Sequence, residues 1–125
     1  MINASITQKQ LIDFNNNGFL TIDKFIDLQY LEDLKTRISL LFEGSFETGI
    51  EPDEWNWKQE RDPSDVTRQI CNAWKSDNLI KRLVCSPIIG ECVSNLMGWN
   101  GTRLVQDNVL WKPPLGRALN FHQDA

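Results

Sequence analysis

A chain of 125 residues with 41% apolar side chains, five tryptophans among them, can fill the core of one modest domain. Its formal net charge of −4 provides no basic stripe for a nucleic-acid backbone or an anionic membrane, so neither is an expected partner. No apolar run approaches the ~20 residues of a spanning helix, and the stretch from Met1 to Lys9 has no signal-peptide core, so the expected location is cytoplasmic.

The cysteines agree with that compartment. Cys71, Cys85 and Cys92 form no C-x-x-C pair and fall in helix-like segments, which fits reduced core thiols better than a disulfide frame or a zinc site. The acceptor-like triplets at Asn3 and Asn100 carry no weight in a chain that is not secreted.

In chain order, Thr7 with Gln10 makes a capping box for a short helix over residues 8–16, which Gly18 ends. Phe19 to Ile22 has the aromatic and β-branched content of a short strand. Asp27 then caps the clearest helix in the sequence. Leu31, Leu34, Ile38 and Leu41 recur at spacings of three and four, Glu32, Asp33, Lys35 and Arg37 take the other side, and Gly44 stops it. That apolar stripe is expected to lie on a sheet.

From Ser45 to Pro63 periodicity disappears, and Gly49, Pro52 and Asp62-Pro63 mark a long loop. Trp55 and Trp57 sit inside it, either lining a substrate entrance or clamping the loop to the body, the second being the blander alternative. Ser64 or Asp65 caps a predicted helix to about Trp74, Asp77 caps another to Val84, and Ser86-Pro87 opens a third that Gly98 closes. In the third, Ile89, Cys92, Val93, Leu96 and Met97 are the predicted buried stripe.

After the turn pair Asn100-Gly101 the pattern switches to period two. Leu104, Gln106, Asn108 and Leu110 share one face of the predicted strand, and Arg103, Val105, Asp107, Val109 and Trp111 share the other. Amides on a strand face are unusual in a core unless polar groups are needed inside. Pro113-Pro114 ends the strand, because neither residue donates to a ladder, and Ala118 to Phe121 is predicted as the next. Helices followed by antiparallel strands, without βαβ alternation, define an α+β chain.

One motif near the N-terminus resembles a calcium loop. Residues 13–24 place Asp13, Asn15, Asn17 and Gly18 at positions 1, 3, 5 and 6 of an EF-hand pattern. Position 12 is Lys24, a cation that supplies no oxygen and repels Ca²⁺, so an EF-hand-like module is a minor alternative to a helix that simply stops.

The chemistry is concentrated at the C-terminus. The only histidine, His122, stands two residues before Asp124, and in an extended strand positions i and i+2 point to the same face. An imidazole nitrogen with a carboxylate oxygen supplies two of the three ligands of the facial triad that holds non-heme Fe(II). Spacing alone makes this a weak signal.

The run Gln106-Asp-Asn-Val-Leu-Trp-Lys-Pro-Pro114, a short Gly-containing turn and then Phe121-His-Gln-Asp124 resembles the phytanoyl-CoA dioxygenase family of Fe(II)/2-oxoglutarate oxygenases. The likeness extends back through Leu96-Met-Gly-Trp99 and Asn17-Gly-Phe-Leu-Thr-Ile22. It implies a double-stranded β-helix, or jelly roll, with a helical part over about 1–98 and the first barrel strands over about 102–125. It also implies Fe(II), 2-oxoglutarate and O2 as cofactor and co-substrates, a small-molecule substrate, and hydroxylation coupled to decarboxylation of 2-oxoglutarate to succinate.

By the same resemblance His122 and Asp124 are iron ligands, and Asn108 and Gln123 match positions that touch 2-oxoglutarate. Arg68 falls near a position where a basic residue approaches it, with a solvated helix residue as the alternative for Arg68. Lys112 matches the family's Lys-Pro-Pro, with a purely structural charge snorkelling to water at the strand end as the alternative for Lys112. The family's second histidine and its 2-oxoglutarate-binding basic residue lie further along than Ala125. The expectation is therefore a single domain, the N-terminal portion of a longer oxygenase, inactive alone, open-edged and aggregation-prone, with a C-terminal segment as its complement. A non-catalytic jelly-roll binding protein is the other alternative. An Asn108 amide sent outward into solvent, or His122 and Asp124 side chains on opposite sides of the backbone, would overturn the oxygenase reading.

Overall fold

The computed structural model describes residues 5–118, 120 and 123. Among them the order is α1 (Gln8–Asn17), α2 (Leu28–Phe42), β1 (Glu54–Trp55), β2 (Arg68–Cys71), a 3-10 turn (Ala73–Lys75), α3 (Asn78–Val84), α4 (Pro87–Met97) and β3 (Asn108–Trp111). The chain is α+β, with one three-stranded antiparallel sheet in the order β1-β2-β3. No described helix is long and apolar enough to cross a membrane.

The helices begin where their caps dictate. Thr7 accepts from the Gln10 amide while the Gln10 side chain returns the bond to the Thr7 amide, and Gly18 closes α1 at φ 76°. Because α1 runs unbroken through Asp13, Asn15 and Asn17, and Asp13 pairs with Lys9 at 2.6 Å, that segment forms no calcium loop. The Asp27 carboxylate accepts from the Tyr30 amide at the head of α2. Ser86 and Pro87 open α4, and Gly98 ends it in the left-handed region.

The core lies between α2, the sheet and α3. Leu34, Leu41 and Phe42 of α2 meet Ile70 of β2, Ala73, Ile80 of α3 and Trp57. Val109 of β3 packs against this cluster, and the Phe42 ring meets Trp111 edge-on at 5.8 Å. Trp57 is buried and donates its indole N–H to the Pro63 carbonyl at 2.9 Å, so it clamps the long loop to the body. Trp55 does the same beside Phe46, at 5.4 Å between ring centres. Gly44 is required there: its φ is 85°, and a Cβ would stand 2.7 Å from the Trp55 ring.

Several expectations are corrected. Phe19 to Ile22 is not a strand: Phe19 is 68% exposed, and the segment finds no place in the sheet. The helix expected from residue 64 or 65 to Trp74 is instead β2 followed by the 3-10 turn. Two neighbouring strands supply ladder partners to Arg68–Cys71, and Asn72, at φ 56°, breaks the chain before Ala73. The strand expected from residue 103 pairs only over Asn108–Trp111, because β2 offers four residues.

The stripes are narrower than their periodicity. Leu31 is 36% exposed, and in α4 Cys92 is buried while Val93 and Met97 are 37% and 44% exposed. Cys71 lies on a strand and Cys85 is exposed, so not all three thiols are helical core groups. The strand expected over residues 118–121 falls partly outside the described residues, and the described Ala118 and Asn120 are not in a strand.

One buried carboxylate joins the helical layer. Asp77 is fully buried, caps α3 by accepting from the Leu79 and Ile80 amides, and pairs with Arg37 Nε of α2 at 2.5 Å. Tyr30 Oη adds a donation to the Leu79 carbonyl at 2.8 Å. Removing one member of a buried pair strands the other, so Asp77→Ala is expected to destabilise by about 3 kcal/mol. Urea unfolding checks it: the midpoint should fall at an unchanged slope.

Candidate functional site

The two faces of the sheet differ. In an antiparallel ladder, directly paired residues project to the same side. Arg68 pairs with Trp111, and Trp55, Ile70 and Val109 align, on the side covered by α2. Gln69 with Leu110 and Cys71 with Asn108 take the opposite side. There Leu110 is 61% exposed and Asn108 is exposed as well.

An amide cluster occupies that second face. Gln69 Nε2 donates to Asn108 Oδ1 at 3.1 Å, and Gln106 Nε2 approaches the same oxygen at 3.4 Å. The shared face of Gln106 and Asn108 predicted from the period-two pattern is thus present, although no ladder extends to Gln106. Beside them the Cys71 thiol is pushed up from its ordinary pKa by burial, with Glu54 and Asp53 adding to the effect.

β3 is set in place by Asp107. The Asn72 amide donates to the Asp107 carbonyl at 2.8 Å, and the Asp107 amide donates to Asn72 Oδ1 at 3.3 Å. Asp107 Oδ1 accepts from the Trp74 amide at 3.1 Å at the head of the 3-10 turn. Its other oxygen is buried without a partner. This exchange fixes where Asn108 starts, and sequence reasoning missed it because Asn72 and Asp107 are far apart in the chain.

Arg68 is on a strand, not a helix. It lies half-buried on the covered side, its guanidinium carbon 3.6 Å from the Trp57 ring centre and 4.9 Å from that of Trp111. Arg68 and Asn108, both candidates for 2-oxoglutarate contact, are therefore on opposite faces and are not brought together. Gln123 is exposed. His122 and Asp124 lie outside the described residues, and among the described residues no group of three His, Cys, Asp or Glu side chains converges as a metal site. Lys112 is exposed just past β3, before the prolines that end it.

No family model matches the chain, and no solved structure matches it. A 2-aminoethylphosphonate dioxygenase of the uncultured bacterium HF130_AEPn_1 is 29% identical to it over 122 residues. That alignment takes in 95% of this chain and 45% of the relative, so the chain spans less than half the relative's length. The likeness to a protein named as a dioxygenase therefore covers most of the chain, at low identity.

Burial pushes the Asp107 carboxyl above its ordinary pKa, against the opposing donation from the Trp74 amide. A carboxyl with a raised folded-state pKa favours the fold when protonated, and that contribution is lost as pH rises through the raised value. Asp107→Asn keeps the acceptor for Trp74 and removes the buried charge. Its stability is expected to match the parent in acid and to exceed it at neutral pH, where the parent's buried carboxyl is ionised. Urea midpoints at the two pH values check this.

Proposed function

We propose that the protein carrying this chain is an Fe(II)/2-oxoglutarate-dependent dioxygenase that hydroxylates a small organic substrate. The observation that carries this reading is the alignment of 95% of the chain with a protein named as a dioxygenase. His122 and Asp124 would hold the iron. Their donor set suits it, an imidazole nitrogen and one carboxylate oxygen being two of the three facial ligands. The third ligand is supplied by polypeptide outside this chain, since His122 is its only histidine.

The iron, when bound, supplies activation of O2 coupled to decarboxylation of 2-oxoglutarate. The chain's own residues provide the frame. The side of the sheet opposite α2 would be the lumen of a jelly roll, whose closing strands are the proposed complementing segment. Asn108 is exposed among the described residues, which counts against this reading in the chain as given, and the reading requires closing strands to cover that side. Its amide, steadied by Gln69 and Gln106, would contact the co-substrate, with Gln123 nearby in sequence to the ligand pair. Arg68 faces the other way and is left out of this role.

The relative's named compound, 2-aminoethylphosphonate, is the first substrate to test. The full-length protein with Fe(II) and 2-oxoglutarate should release succinate. His122→Ala and Asp124→Ala should each weaken iron binding by more than the ~10–100-fold that loss of an outer-sphere partner costs. Isothermal titration under anaerobic conditions reads that affinity. Unchanged iron affinity in both variants would remove the assignment, and a protein that binds iron without consuming 2-oxoglutarate would favour a non-catalytic jelly-roll binding protein.

A further inference from the structure

On the covered side of the sheet a cavity of about 380 Å³ opens where the end of α2, the loop after Trp57 and the adjoining ends of β2 and β3 meet. Arg68 lines it between the indoles of Trp57 and Trp111. No hydrogen bond or ion pair to a described residue engages this guanidinium, and its Nε is buried without an acceptor. A buried donor left unsatisfied is costly, and the ring faces hold the cation in place without meeting its N–H groups.

We propose that this cavity binds a small monocarboxylate on Arg68. A carboxylate is planar and accepts two parallel bonds from the edge of a guanidinium, which suits a slot walled by flat rings. Glu43, Glu60 and Asp62 line the same cavity, and among the described residues only Asp62 of the three has its own cation, Arg61 at 2.5 Å. One guanidinium offsets one negative charge, and the surrounding carboxylates oppose a second, so dicarboxylates and phosphate dianions are disfavoured. Glu60 holds a φ of 66°, a backbone strain of the sort found where loops clamp ligands. The inference is independent of the iron site, because Arg68 projects to the face opposite Asn108.

Nitrogen-15 NMR of the full chain tests it through the Arg68 Nε–H resonance, assigned by its loss in Arg68→Gln. If that variant fails to fold, Arg68→Lys, which keeps a cation at the position, provides the assignment. Sodium acetate, succinate and phosphate are titrated at constant ionic strength. Acetate should move the signal saturably, with half-saturation on the order of 1 mM, and the dianions should bind at least about ten-fold more weakly. Glu60→Gln should narrow that gap. A shift no larger than sodium chloride produces, or tighter binding of succinate than of acetate, overturns the proposal.

Discussion

The structure depends on a sheet whose apolar packing, among the described residues, lies mainly on one side. Leu34, Leu41 and Phe42 of α2 close over Ile70 and Val109, whereas on the other side Asn108 and Leu110 are exposed and Gln69 is half-buried. Burial of these side chains against one another is the main favourable term in this fold. It also fixes the register of β2 against β3, because a slip of one residue would exchange the packed set for the amides. Which groups are available for chemistry on each face follows from that packing.

Two polar devices hold the layers at the positions this packing needs. The Arg37–Asp77 pair ties α2 to the head of α3, and the exchange between Asn72 and Asp107 ties β2 to the start of β3. Both join residues remote in sequence, and both use backbone amides at a helix or turn start as additional donors. Asp77 makes full use of its oxygens, whereas Asp107 leaves one without a partner. The first contributes to stability, and the second imposes a charge cost whenever Asp107 is ionised.

What the sequence showed was what is local. The helix starts at Thr7, Asp27, Asp77 and Pro87 and the stops at Gly18 and Gly98 are encoded within a turn of themselves, and they are found in place. β2 was not legible, because Arg68–Cys71 is a strand only by virtue of partners on two other segments. The same dependence explains Arg68, whose place between Trp57 and Trp111 comes from pairing and loop folding that no helical spacing reveals. The amide face was legible because alternation along a strand is local: Gln106 and Asn108 lie together as their spacing requires.

For the proposed oxygenase, the central claim is that the uncovered face looks onto the metal. Mn(II), a paramagnetic substitute for ferrous iron with the same preference for oxygen and nitrogen ligands, can report this in the nitrogen-15-labelled full-length protein. Paramagnetic broadening should extinguish the side-chain amide signals of Gln69 and Asn108 first and leave the amides of α2 sharp. Broadening centred on α2, or none that His122→Ala removes, would contradict it.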